Sequence, residues 1–234
     1  MKKPFRILVV EDEEAIRTGL LDVFVYHGYE VEGSDNGPDG LQKALSGVYD
    51  LVLLDVMLPG MNGFDICHAI RQQDRQLAII MLTAKNGDEE TIQGLKLGAD
   101  DYVSKPFSIA QLVSRVEAVL RRSQTSLAQA SIIELADGLR IDTDNLSGQS
   151  GETQLLFTRR EIDIIKYLAA HASRPVSRQE LLTSVWGYAR NLDLETRTVD
   201  IHIAKLRRKI ETDAKAPSHL VTVRGAGYRL MMPD

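Results

Sequence analysis

Three short, continuously apolar runs constrain this chain most: Ile7-Leu8-Val9-Val10, Leu51-Val52-Leu53-Leu54 and Ile79-Ile80-Met81-Leu82. They have strand length and no alternation, as expected of central parallel strands covered on both faces. Weaker strand-like runs lie at 29–33 and 102–104, and helical patterns fill the gaps near 13–26, 38–47, 63–73, 88–97 and 108–122. Five strands alternating with five helices predict an α/β fold, a doubly wound five-stranded parallel sheet of flavodoxin-like type.

In such a sheet the C-terminal strand ends lie together, and ligands bind along that edge. The residues at those ends are polar. Glu11 and Asp12 follow the first run, Asp55 ends the third strand, Thr83 follows the fourth, and Lys105 follows Asp101-Tyr102-Val103-Ser104. Glu11-Asp12-Glu13-Glu14 alone is an ordinary helix start, since acids favour that end of the dipole. At four successive strand ends the groups instead predict one site with three carboxylates, a hydroxyl and an ammonium. Mg²⁺ prefers oxygen ligands and keeps several waters, so few carboxylates suffice to hold it. Asp12 and Asp55, with Glu11 and the backbone carbonyl of Met57, could supply that shell. Lys105 and Thr83 would then contact the oxygens of a phosphoryl group accepted by Asp55.

Charge is unevenly spread. Residues 1–122 carry 13 Lys and Arg against 19 Asp and Glu, whereas residues 123–234 carry 15 against 14. An acidic first half suits a cation site, and a nucleic-acid surface in the second half has to be a local patch. No apolar stretch approaches the roughly 18–20 residues that span a bilayer. The N-terminus lacks the pattern of a signal peptide, so no membrane association is expected. Cys67 is the only cysteine, which excludes an internal disulfide and fits a reducing cytoplasm. The cytoplasmic location is an expectation.

The stretch 123–131 is small and polar and reads as a linker between a domain at 1–122 and another at 132–234. Residues 132–157 hold short β-like runs broken by Asp137-Gly138, Asp144-Asn145 and Gly148-Gln149-Ser150-Gly151, which predicts a small antiparallel sheet. Thr158 with Glu161, and Ser177 with Glu180, read as capping boxes opening two helices. A third helix is expected from about Thr196 to Ile210, with Val199, Ile203, Leu206 and Ile210 inward. A hairpin turning through Gly225-Ala226-Gly227 closes the chain. Three helices and a hairpin predict a winged helix-turn-helix domain of α+β class.

Positions 198, 201, 202 and 205 are expected to share the outward face of the third helix. On that reading Thr198, Ile201, His202 and Lys205 enter a major groove, with Lys205 reaching guanine and Ile201 a thymine methyl. Arg197, Arg207 and Arg208 would hold phosphates, as would His202, and Arg224 would reach the adjacent minor groove or its backbone. The other histidines, His27, His68, His171 and His219, have no metal-ligand spacing.

Val9-Val10-Glu11-Asp12-Glu13, Leu54-Asp55-Val56-Met57-Leu58-Pro59-Gly60-Met61-Asn62-Gly63, Leu82-Thr83-Ala84 and Gly98-Ala99-Asp100-Asp101-Tyr102-Val103-Ser104-Lys105-Pro106-Phe107 resemble the receiver domain of two-component response regulators. Arg197-Thr198-Val199-Asp200-Ile201-His202-Ile203 and Thr222-Val223-Arg224-Gly225-Ala226-Gly227-Tyr228-Arg229 are similar to the OmpR/PhoB-type output domain. The resemblance implies that Asp55 takes a phosphoryl group from a sensor histidine kinase, with Mg²⁺ at Glu11, Asp12 and Asp55. It implies a cis Lys105-Pro106 peptide and a switch role for Tyr102, which would fill the space behind Thr83. It implies a phosphorylation-promoted homodimer through Lys96, Asp100 and Asp101 against Arg115 and Arg122, and binding to double-stranded promoter DNA. Residues 187–195 correspond to the loop that meets RNA polymerase in the family. Thr91, Gln111 and Ala204 depart from the pattern, where many relatives carry charged groups.

Two competing readings remain at this point. An aspartyl-phosphate phosphatase would need a second acid where Met57 stands. An atypical regulator would bind DNA without phosphorylation, against the intact acid set. The expectation is a transcription regulator that is not an enzyme beyond slow magnesium-dependent autophosphorylation and autodephosphorylation.

Overall fold

The computed structural model describes residues 3–84, 94, 97–122, 131–188 and 196–233. The chain divides into two compact units, Met1–Gln124 and Thr125–Asp234. Most of the helix expected at 88–97 (all but Gly94 and Leu97), of the linker expected at 123–131 (all but Ser131) and of the loop expected at 187–195 (all but Gly187 and Tyr188) lies outside the described residues.

The first unit alternates β1 (Arg6–Val10), α1 (Glu14–Tyr26), β2 (Glu30–Ser34), α2 (Gly37–Ala44), β3 (Leu51–Asp55), α3 (Gly63–Gln73), β4 (Ala78–Ala84), β5 (Asp101–Lys105) and α4 (Ile109–Arg122). The strands form one parallel sheet in the order β2-β1-β3-β4-β5. Every residue of β3 is buried, because it has a strand on each side and helices over each face. β2 lies at an edge and alternates exposed and covered residues instead. Lys43 of α2 caps that edge by donating to the carbonyl of Gly33 at 2.9 Å. Leu20 and Phe24 of α1, with Leu112, Val116 and Leu120 of α4, pack on Ile7, Val9, Leu53 and Ile80 of the sheet. At about 25 cal/mol per Å² of apolar surface removed from water, this burial is the main force holding the sheet to its helices.

Register decides what meets at the sheet's upper edge. Val10 pairs with Leu54, Asp55 with Leu82, and Thr83 with Ser104. The strands therefore finish together, and their terminal polar side chains converge. The side-chain carbonyls of Asn36 and Asn62 accept from the amides of Asp39 and Asp65, capping α2 and α3 just past that edge.

The second unit begins with an antiparallel sheet of β6 (Ile132–Glu134), β7 (Arg140–Asp142), β8 (Ser147–Ser150) and β9 (Thr153–Leu156), in that order. Helices α5 (Arg159–Ala170), α6 (Arg178–Ser184) and α7 (Arg197–Ile210) follow, then the hairpin β10 (Leu220–Val223) and β11 (Gly227–Leu230). Thr158 and Glu161 form both halves of the capping box that opens α5. At α6 only one half forms. Ser177 accepts from the Glu180 amide, but the Glu180 carboxylate pairs with Arg174 and accepts from Tyr167.

The hairpin is tied to the helices. Val176 and Tyr228 exchange both backbone hydrogen bonds, at 2.7 and 2.9 Å. The approach requires glycine at position 227, whose φ is +126° and where a Cβ would fall 2.0 Å from the Val176 carbonyl oxygen. The Tyr228 hydroxyl donates to Asp200 of α7 at 2.6 Å, and Arg178 of α6 donates to both.

Candidate functional site

The sheet edge brings the expected acids together. Glu11, Asp12 and Asp55 each offer a carboxylate oxygen, and these atoms all lie within 4.8 Å of one another. Glu11 is fully buried, Asp55 nearly so, and Asp12 faces solvent. Lys105 bridges two of them, donating to Glu11 Oε1 and Asp55 Oδ2, both at 2.9 Å. Lys105 precedes Pro106 across a cis peptide bond. Burial pushes the Glu11 carboxyl up to about 7; the Lys105 hydrogen bond opposes this, and the charge of Asp55 adds to it. Burial works against the Lys105 ammonium, but its hydrogen bonds to Glu11 and Asp55 leave its pKa above the ordinary lysine value.

Thr83, Met57 and Tyr102 lie at or beside this edge. Thr83 is 1% exposed and its hydroxyl has no hydrogen-bond partner. A buried donor without a partner is costly and calls for a ligand atom. The Met57 amide donates to Asp55 Oδ1 at 3.4 Å while its side chain projects into solvent. Tyr102 is buried, on the strand beside β4.

Two further residues support the pocket: Arg17, which the sequence did not single out, and Gly63, which it offered only as the end of the receiver-like run from Leu54. Arg17 of α1 donates from one nitrogen to the carbonyls of Glu11 and Asp12, at 2.7 and 3.0 Å, and so pins the loop that carries both acids. Gly63 opens α3 against β3, where a Cβ would stand 2.1 Å from the Asp55 carbonyl oxygen. In the sequence Gly63 closes the receiver-like run that starts at Leu54, with no role attached to it.

The acids of the expected dimer face have partners within the chain. Asp100 is buried, and its carboxylate pairs with Arg71 of α3 at 2.9 Å and accepts from the Ile79 amide. Asp101 is fully buried and pairs with Arg115 at 2.7 Å within the same chain. Both acids therefore have internal cations. Lys96 and the Arg122 side chain lie outside the described residues.

The outward face of α7 also differs from expectation. Thr198 and His202 are buried, at 3% and 1% exposure, and His202 packs edge-on against Trp186. The Lys205 ammonium lies 3.3 Å from buried Glu161 of α5. These three therefore flank the core-facing stripe of Val199, Ile203, Leu206 and Ile210, all buried. The open face is instead Arg197, Ala204 and Arg208, with Asp200 and Ile201 half-covered. Arg207 donates to the Leu220 carbonyl and to Thr222, tying α7 to the hairpin. Arg224 is exposed at the hairpin tip.

Known proteins match both units. Residues 7–117 match the family described as response regulator receiver domain, and residues 151–230 match transcriptional regulatory protein, C terminal. The chain is 40% identical to the alkaline phosphatase synthesis transcriptional regulatory protein PhoP of Bacillus subtilis (strain 168), covering 97% of each. Among solved structures, a mutant of RitR is similar with a TM-score of 0.77 and 30% identity, over 98% of this chain and all of that one. DrrB of Thermotoga maritima, an OmpR/PhoB homolog, is similar with a TM-score of 0.53 and 29% identity, over 98% of this chain and 100% of that one. An acidic pocket at the edge of a parallel sheet, a winged helix behind it in sequence, and these matches along nearly the whole length agree: the chain belongs to the two-component response regulators of OmpR/PhoB type, with a receiver and a DNA-binding domain.

Proposed function

We propose that Asp55 accepts a phosphoryl group from a sensor histidine kinase, and that the added charge promotes pairing of two receivers and binding to promoter DNA. The observation that carries this is the Glu11, Asp12 and Asp55 cluster with Lys105 bridging two of its members. A cluster of hard oxygen donors, two of them buried, fits Mg²⁺, which Glu11, Asp12 and Asp55 would hold with help from the Met57 carbonyl. When bound, the ion supplies neutralisation of charge on the phosphoryl oxygens.

The protein's own groups do the rest. An Asp55 oxygen forms the new bond to phosphorus as the bond to the kinase histidine breaks. Lys105 is placed to contact a phosphoryl oxygen as a point charge. Thr83, buried without a partner, can donate to another. Tyr102 then fills the space that Thr83 leaves. Phosphorylation adds nearly two negative charges at Asp55. The only catalysis in this reading is slow formation and loss of the protein's own phosphoaspartate. Arg197, Arg208 and Ile201 meet the DNA from α7 and Arg224 from the hairpin; the loop at 187–195 meets RNA polymerase. The protein works in the cytoplasm.

The test is labelling by a small acyl phosphate. A mass gain of one phosphoryl group, dependent on magnesium and absent from Asp55→Ala, is expected, together with tighter DNA binding of the labelled wild type alone. Labelling that persists in Asp55→Ala, or a labelled chain that sediments as the same monomer, would count against the reading.

Acid should weaken cation binding. Glu11 titrates near 7 rather than at its ordinary value of 4.5, so a divalent ion must displace its proton below neutrality. Affinity for Mn²⁺, read by electron paramagnetic resonance, is expected to fall below pH 7 towards tenfold per unit, the limit of about 1.4 kcal/mol for one coupled proton. Without the ion the sign reverses: the folded unit binds this proton more tightly than the unfolded chain does. The Glu11 contribution to stability is therefore largest below pH 4.5 and is lost as pH rises towards 7. Cation affinity constant from pH 8 to pH 6 would contradict this assignment.

A further inference from the structure

Five cations lie on α7: Arg197, Lys205, Arg207, Arg208 and Lys209. Two of them point back into the protein. Glu161, fully buried in the first turn of α5, has one carboxylate oxygen 2.6 Å from Lys209 Nζ and the other 3.3 Å from Lys205 Nζ. Lys209 also donates to the Leu156 carbonyl at 2.8 Å and lies over the Phe157 ring. The same carboxylate accepts from the Thr158 amide at 2.8 Å, so its place is fixed by the capping box.

We infer that Glu161 is a specificity-determining positioning residue, which holds Lys205 and Lys209 away from the DNA backbone. Arg207 is separately engaged by the hairpin, and Arg208 is exposed on the helix. Each lysine that neutralises a phosphate adds affinity for any duplex, because counterion release carries no sequence information. A buried carboxylate that occupies two lysines lowers this indiscriminate contribution and leaves a larger share of binding to the base edges. The charge is maintained in place: burial pushes the Glu161 carboxyl up, but the charges of Lys205 and Lys209 and the Lys209 and Thr158 hydrogen bonds bring it below its ordinary value. Glutamine at this position keeps the reciprocal cap while removing the charge, so Glu161→Gln separates the two roles.

This inference rests on α7 meeting DNA, and the experiment tests that step separately. Full-length protein is titrated with a random-sequence duplex, and with a duplex enriched from a random pool by the wild type, over a range of salt. For folded Glu161→Gln, the slope of log K against log salt on the random duplex is expected to steepen by about 1–2. The preference ratio between the two duplexes should fall. In the wild-type background, Lys205→Met and Lys209→Met should leave the slope unchanged, whereas Arg208→Ala should flatten it by about 1. The lysine variants decide the matter even if Glu161→Gln fails to fold. A slope reduced by about 1 in either lysine variant overturns the inference, as does an unchanged slope in folded Glu161→Gln. An unchanged slope in Arg208→Ala removes α7 from the DNA, and the inference falls with it.

Discussion

Alanine in place of Gly63 is expected to slow magnesium-dependent phosphorylation of Asp55 by about a hundredfold, the penalty typical of displacing a reacting group by an ångström. The added Cβ would meet the Asp55 carbonyl oxygen at 2.1 Å, the Val56 Cα at 2.9 Å and the Asp55 carbonyl carbon at 3.0 Å. All three are backbone atoms, so no side chain can swing aside to make room. The Gly63 amide also donates to the Val56 carbonyl at 2.9 Å, which holds α3 against the end of β3. Either the helix lifts or the strand end shifts, and Asp55 moves out of line with Lys105. The rate of mass gain with a small acyl phosphate measures this. A folded Gly63→Ala protein labelled within threefold of wild type would show that the packing does not set the position of the nucleophile.

Arg71→Met should destabilise the first unit by about 3–5 kcal/mol, the cost of leaving one member of a buried ion pair alone. The guanidinium pairs with Asp100 at 2.9 Å and also donates to the carbonyls of Gly98 and Leu77, at 2.8 and 2.7 Å. Its loss removes the cation from a buried carboxylate and the donor from at least two carbonyls. Against a typical total of about 5–15 kcal/mol, this is a large fraction. Urea unfolding followed by far-UV circular dichroism should show an early transition. Trp186 is the chain's single tryptophan, fully buried in the second unit, so its fluorescence should report an unmoved later transition. A shift under about 1 kcal/mol would mean that water reaches the pair more freely than its burial indicates.

The acidic pocket was legible in the sequence because parallel strands end at one edge. Any polar residue that terminates a buried run is delivered to that edge, so Glu11, Asp55, Thr83 and Lys105 could be grouped without coordinates. The exposed face of α7 was not legible. Val199, Ile203, Leu206 and Ile210 marked the core side correctly, but a sequence records polarity and not burial. Thr198, His202 and Lys205 are polar and yet covered, since Trp186 packs against His202 and Glu161 takes the Lys205 charge. The internal partners of the acids at 100 and 101 were hidden for a related reason. Charge complementarity does not say whether a partner belongs to the same chain, and Arg71 lies 29 residues before Asp100.

A two-stranded hairpin is marginal on its own in water. The reciprocal hydrogen bonds between Val176 and Tyr228, with the Tyr228 hydroxyl fastened to Asp200, make this hairpin part of the helical core. Its inner amides should consequently exchange with deuterium at the pace of the deepest amides of α5. The hairpin would then open only when the whole unit opens, as one cooperative block with no separate hinge.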